Sequence, residues 1–286
     1  MHFSFRSGET VREGVRRIGL EQIDALLSDL RGQPSAPRIH DARKRCKMLR
    51  ALLRLARKGI DPAARQAANA RWRDIAHALA GARDADVQRR TFRKLITRPN
   101  SCRALAQLLE RDASATRPAD LDPALLERLA RRVNAGRRTW ERLALKHHGW
   151  QLIAPGIKRG YSEARDAWRT TRDDASDEAL HDWRKAAKTL WYHLRLLGKM
   201  CPKKLDPLID RLDELGELLG QDHDLATLLT YAREHDGASL DILDPLIAHR
   251  RRKLQRKACA LARKCFEASP GDFTARLKSC WHRWRE

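Results

Sequence analysis

Six polar residues occur twice in this chain, in the same order. His40, Asp41, Arg43, Lys44, Lys47 and Arg54 return as His181, Asp182, Arg184, Lys185, Lys188 and Arg195, at a constant offset of 141. Guanidinium and ammonium groups at steps of three and four project from one side of a helix. Arginine offers a fork of donors that matches an oxyanion, and lysine offers a point charge. The chemistry within reach of such a row is the holding of a polyanion. Neighbouring like charges along a helix cost a few tenths of a kcal/mol per pair, and a bound anion removes that cost.

The helices that carry the rows are legible. Ile39, Ala42, Cys46, Leu49, Leu53 and Ala56 alternate three and four apart and form one apolar seam. One residue on from each lies a cation or histidine: His40, Arg43, Lys47, Arg50, Arg54 and Arg57, with Lys44 beside them. Leu180, Trp183, Ala187, Leu190, Leu194 and Leu197 repeat the seam, and His181, Arg184, Lys188 and Arg195 repeat the stripe, with Lys185 alongside. Trp191 stands where the first copy has Arg50, so the first stripe is expected to hold an anion more strongly. Further along, Arg17 falls opposite Lys158, Gly19 opposite Gly160, and Arg83-Asp84 opposite His223-Asp224 at an offset of 140. As partners of an anion, the histidines donate best when protonated, so binding should strengthen below about pH 6.5.

The pattern throughout is helical. Ala, Leu, Arg and Glu dominate, and strand-type alternation is missing. The expected helices are 9–31, 39–58, 62–80, 84–97, 101–113, 123–147, 150–172, 177–199, 205–219, 222–235, 242–268 and 271–284. Asp61-Pro62, Asp122-Pro123 and Asp244-Pro245 read as caps followed by a first helical proline. Pro34, Pro37, Pro99, Pro118, Pro155, Pro202 and Pro270 read as punctuation between elements. The expected fold is all-α: two antiparallel helical bundles, residues 1–148 and 149–286, related by a pseudo-twofold axis around a central basic cavity.

Charge is uneven. The 286 residues hold 59 Lys and Arg against 37 Asp and Glu, a balance of +22. Residues 1–150 carry 33 basic and 16 acidic side chains, whereas residues 205–244 carry 11 acids and 2 bases. The positive potential therefore sits on particular faces. Six cysteines show no CxxC pair and read as small buried hydrophobes in a reducing compartment. No leader-like or membrane-spanning apolar run is present, which fits a cytoplasmic chain.

The pattern His-Asp-x-Arg-Lys-x-x-Lys before a Leu-rich stretch, twice in a helical chain, resembles the CHAD domain, the conserved histidine α-helical domain. Residues 79–87, 156–165 and 250–254 also agree with it, as do 269–273 and Trp281. The resemblance implies a single CHAD domain spanning the chain and a basic cavity that holds inorganic polyphosphate without catalysis. It also implies association with polyphosphate granules. The site residues it implies are His40, Arg43, Lys44, Lys47 and Arg50, with His181, Arg184, Lys185 and Lys188. Arg17, Lys158 and Arg165 follow on the equivalent helices, then Arg83, His223 and Arg250–Arg252. Ala80, where the family often has glycine, and Trp191 depart from the pattern. No Glu-x-Glu-x-Lys motif of a fused triphosphate hydrolase occurs, so the chain reads as a stand-alone CHAD protein needing no cofactor or metal.

Other readings are nucleic-acid binding, chiefly RNA, since eight tryptophans could stack bases; an adaptor docking through the acidic 205–244 segment; and an HD-type metal phosphohydrolase, since His-Asp occurs at 40–41, 181–182 and 223–224. Cations packed around the first two pairs would repel a divalent metal.

Overall fold

The computed structural model describes residues 3–96 and 102–285, apart from the side chains of Ala82, Arg83 and Pro118. The described residues form eleven α-helices, short 3-10 turns and no strand. The helices are α1 (Val11–Arg31), α2 (Ala36–Leu55), α3 (Pro62–Ala78), α4 (Gly81–Leu95), α5 (Arg103–Ala115) and α6 (Pro123–Glu141), then α7 (Gly149–Asp173), α8 (Asp177–Leu197), α9 (Pro202–His235), α10 (Leu240–Cys265) and α11 (Pro270–Arg285).

Local chemistry explains most of the boundaries. Thr10 and Glu13 close a reciprocal capping box on α1. Asp61 and Asp122 cap α3 and α6 ahead of Pro62 and Pro123, as expected. Asp244-Pro245 does not start a helix: α10 begins at Leu240, after a 3-10 turn at Gly237–Ser239, and contains Pro245. Pro155 and Pro207 also lie within helices, and Pro37 in the first turn of α2. Pro37 loses no helical hydrogen bond, because first-turn N–H groups have no internal partners, whereas Pro155, Pro207 and Pro245 sit in the second turn and each forgo one.

The expected break at 220–221 is missing, and α9 runs unbroken for 34 residues. Its two interior glycines, Gly216 and Gly220, sit under the Lys188 side chain and the Arg184 guanidinium from α8. Packing there outweighs the roughly 1 kcal/mol helix cost of each glycine. The counterpart stretch in the first half does break, at Leu79–Ala80, into α3 and α4.

Helices α1, α2, α3 and α6 pack on one another, and so do α7, α8, α9 and α10, with α11 against α7. The α4–α5 hairpin crosses over and lies on α9, where the Tyr231 hydroxyl donates to Asp112. One hydrophobic cluster runs from Phe3 to Trp281 through both halves. Every residue of both seams is buried in it. Between the halves the chain turns at His147 and Gly149, both at positive φ, where glycine is unstrained.

Candidate anion site

The two stripe helices cross. The ring of His193 on α8 donates from Nε2 to the Ala51 carbonyl of α2 at 3.0 Å, and Arg54 Nη1 donates to Thr189 Oγ1 at 2.8 Å. At the offset of 141, His193 is the counterpart of Leu52 and Thr189 of Met48. Each helix therefore meets the other through the same stretch of itself. Helix α7 closes in beside the crossing. A Cβ at Gly156 would stand 2.1 Å from the Leu55 carbonyl, and one at Gly160 would stand 2.8 Å from His193 Nδ1. Only glycine allows this approach.

A cleft of about 390 Å³ opens at this junction. Arg54 and Arg57 reach it from the end of α2, Arg65 from α3, Arg159 and Glu163 from α7, and Asp182 and Lys185 from α8. Five cations thus meet two carboxylates, and both carboxylates are engaged: Glu163 by Arg159, and Asp182 by Lys185 at 2.7 Å. Among the described residues, Arg54, Arg57 and Arg65 form no ion pair. The Nε of Arg65 is a buried donor with no acceptor. Burial, then the charges of Arg159 and Arg65, hold the Arg57 guanidinium below its ordinary range. Arg54 is lowered by burial and by Arg65 against the opposing pull of Glu163, and Arg50 by burial, Arg54 and Arg73. Half-buried cations outside any ion pair are what an incoming anion would stabilise.

The stripe on α2 leads to this cleft. Arg43 and Arg54 lie three turns apart, about 16 Å along the axis. Lys44 and Lys47 are exposed between them, and Arg50 donates to Asn69 at 3.0 Å. At the far end His40 is exposed in the first turns of α2. Arg43 donates to the Leu79 carbonyl at 3.2 Å, which the break between α3 and α4 leaves open, and its guanidinium is 3.8 Å from Asp84. Arg43 therefore has structural work as well.

The α8 stripe is treated differently. Lys188 lies 3.2 Å from Asp213 and 3.3 Å from Glu217, both on α9. The counterparts of these acids in the first half are Trp72 and Ala76. Trp191 lies between Lys188 and Arg195, with cation–ring distances of 4.8 and 4.6 Å. His181 lies against His223, with ring centroids 4.7 Å apart and the planes tilted by 33°. Burial first, then His223 and the nearby Lys185 and Arg184, lowers the His181 pKa; burial and Arg184 lower that of His223. Asp84 acts on both Arg43 and His223, so the first turns of the two stripes converge on the start of α4. The side chain of Arg83, which belongs to that start, lies outside the described residues.

Of the implied site residues whose side chains are described, only Lys185 lines the cleft, and three of the others lie off both stripes. Arg17 is held by Glu9 at 2.7 Å and Glu21 at 2.9 Å, and its pKa is raised by its bonds to Glu9 above all. Lys158 and Arg165 lie on α7 more than a third of a turn from the face of Gly156, Gly160 and Glu163. Arg159, one residue beyond Lys158, takes the place expected of it. Of Arg250–Arg252, Arg251 is spent on Asp222 and Asp177. Sequence reasoning missed Arg65 and Arg159. The glycines at 156 and 160 were the available signal for Arg159, because they mark the side of α7 that approaches α2. Among the described residues, no three His, Cys, Asp or Glu side chains gather as a metal site, and no helix is long and apolar enough to cross a membrane.

The CHAD domain family model matches residues 17–233. The chain belongs to the CHAD family. The match ends before α10 and α11, so Arg250–Arg252 fall beyond it. Solved structures share the fold. PptA from Streptomyces chartreusis superposes with a TM-score of 0.63 at 15% identity, covering 90% of this chain and 100% of that one. The CHAD domain from the plant Ricinus communis superposes at 0.58 and 19% identity, covering 98% and 94%. No curated protein matches the sequence.

Proposed function

We propose that this CHAD protein binds inorganic polyphosphate without catalysis, along the α2 stripe and into the cleft at the α2–α8 crossing. The observation that carries the reading is the trio of Arg54, Arg57 and Arg65, none of them in an ion pair among the described residues, facing Arg159 and Lys185 across one cleft. A linear anion with a negative charge at each repeat fits a charged track better than a pocket for one small anion. Affinity should come from many modest contacts and fall steeply with salt as counter-ions are released less favourably, as it does for nucleic-acid phosphates. A duplicated, twofold-related pair of half-sites is part of this proposal, supported by the equivalent crossing positions on α2 and α8. The acids beside Lys188 support a stronger first half-site. Residence in the cytoplasm on polyphosphate granules belongs to the same proposal.

RNA is the reading to test against. Trp72, Trp140 and Trp183 are 2% exposed or less, so they offer bases no stacking face. The test is competition at fixed salt, with labelled polyphosphate displaced by unlabelled polyphosphate, single-stranded RNA or duplex DNA at equal phosphate concentration. Polyphosphate should displace best, increasingly with chain length. Better displacement by RNA or DNA, or phosphate release on adding a divalent metal, would overturn the proposal.

A further inference from the structure

The cysteines that the sequence offers as separate hydrophobes include two that meet in space. Cys201 is the N-cap of α9, and Cys280 lies 79 residues later on α11. Their sulfurs are 2.8 Å apart. Both are free thiols. Among the described residues, no other two cysteines lie within hydrogen-bonding distance. Cys280 is buried and Cys201 partly exposed, so solvent reaches the pair through Cys201. Lys204 lies in the first turn of α9, and the Arg283 guanidinium is 3.9 Å from the Cys280 sulfur. A helix N-terminus and two cations favour a thiolate at this place. Burial and the neighbouring thiol oppose them and push Cys201 above its ordinary value. Cys46 and Cys265 are buried, with thiols pushed up to about 12 and about 11.

We propose that Cys201 and Cys280 are a redox modification site, which a peroxide converts to an intramolecular disulfide. The partly exposed Cys201, as thiolate, attacks one peroxide oxygen. The O–O bond breaks, the departing oxygen leaves as water or an alcohol, and Cys201 becomes a sulfenic acid. The Cys280 sulfur then attacks the Cys201 sulfur and loses its proton. The sulfenic hydroxyl leaves as water, and the S–S bond forms. Two thiols are oxidised by two electrons, and one peroxide is reduced. A disulfide bond is about 2.05 Å long, so the sulfurs need approach by about an ångström or less. The bond would tie α11 to the start of α9 and close a long loop. Because α11 packs on α7 and on the 3-10 turn before Cys201, the link would brace the C-terminal half.

The test is thiol counting on the whole protein. It is treated with excess hydrogen peroxide, quenched, unfolded and alkylated, and its intact mass is read. Six thiols should alkylate in reduced protein, and after peroxide two fewer, with a linked peptide pair containing Cys201 and Cys280. Dithiothreitol should restore all six, and oxidation should speed up with rising pH. Cys201→Ser and Cys280→Ser should each abolish the linked pair. The oxidised wild type should melt roughly 5–15 °C higher, a shift absent from Cys280→Ser. Six thiols after peroxide, loss of one thiol only, or a linked pair involving any other cysteine would overturn the proposal.

Discussion

Replacing Arg54 by Gln should separate anion binding from folding. Arg54 is half-buried at the helix crossing, hydrogen-bonded to Thr189 and not ion-paired among the described residues. Burial lowers its pKa, so its charge is a burden on the folded state without a ligand. The substitution removes one neutral-acceptor hydrogen bond, worth about 1 kcal/mol, and relieves a desolvated charge of comparable cost. Stability should therefore change by no more than about 1 kcal/mol, a few degrees in Tm. The anion should lose a charge-assisted contact of about 1.5–3 kcal/mol, or roughly 10- to 150-fold in affinity. The slope of log affinity against log salt should shrink by about one. Arg17→Gln should do the reverse. It strands Glu9 and Glu21, so stability should fall by about 1–3 kcal/mol with affinity almost unchanged. Fluorescence anisotropy with labelled polyphosphate across a salt series, beside thermal melts, reads both quantities. If Arg54→Gln keeps full affinity while Tm drops several degrees, the arginine is structural and the reasoning about the cleft is wrong.

Other perturbations address the rest of the site. Lys44→Glu with Lys47→Glu should abolish polyphosphate binding while circular dichroism shows unchanged helicity, since both side chains are exposed; retained binding would move the track off α2. Asp213→Asn with Glu217→Gln should release Lys188 and raise affinity a few-fold, with a steeper salt slope in the same anisotropy assay. Burial and neighbouring cations hold the pKa values of His181 and His223 below the ordinary histidine value. An anion should raise both values, so calorimetry near pH 6 should record proton uptake on binding, and His223→Gln should reduce it. His193 is pushed down to about 4 by burial, so between its unfolded value near 6.5 and that point only the unfolded chain takes the proton. Stability is therefore lost as pH falls, by about 2.5 kcal/mol at pH 4.5 from this group. Denaturant titrations at pH 7 and 4.5 should show a smaller loss in His193→Gln.

The two seams were fully readable from spacing, and every one of their residues is buried. A seam is a local property: period and residue type set which side of a helix is apolar. The same logic placed the α2 stripe from His40 to Arg54, with Arg57 just past the end of the helix. It failed at Gly220, because propensity describes an isolated helix and the side chains of α8 cover that glycine. It did not anticipate Arg159 for a related reason. The offset of 141 aligned Lys158 with Arg17, but one step along a helix turns a side chain by about 100°, and Arg159 rather than Lys158 lines the cleft. The pairing of Cys201 with Cys280 left no trace in spacing.

The sequence by itself determined that this chain is helical, that two of its helices carry matched cationic rows beside apolar seams, and that the excess positive charge lies mostly in the first half. Only the tertiary structure decided which cations are already spent. Arg17 goes to Glu9 and Glu21, Lys188 to Asp213 and Glu217, and Arg251 to Asp222, whereas Arg54, Arg57 and Arg65 are left together over a cleft. The reason is one of range. Periodicity fixes neighbours three and four residues apart on one helix, but a salt bridge between helices depends on where they cross. That crossing is set by contacts such as Gly156 against the Leu55 carbonyl, between residues a hundred positions apart.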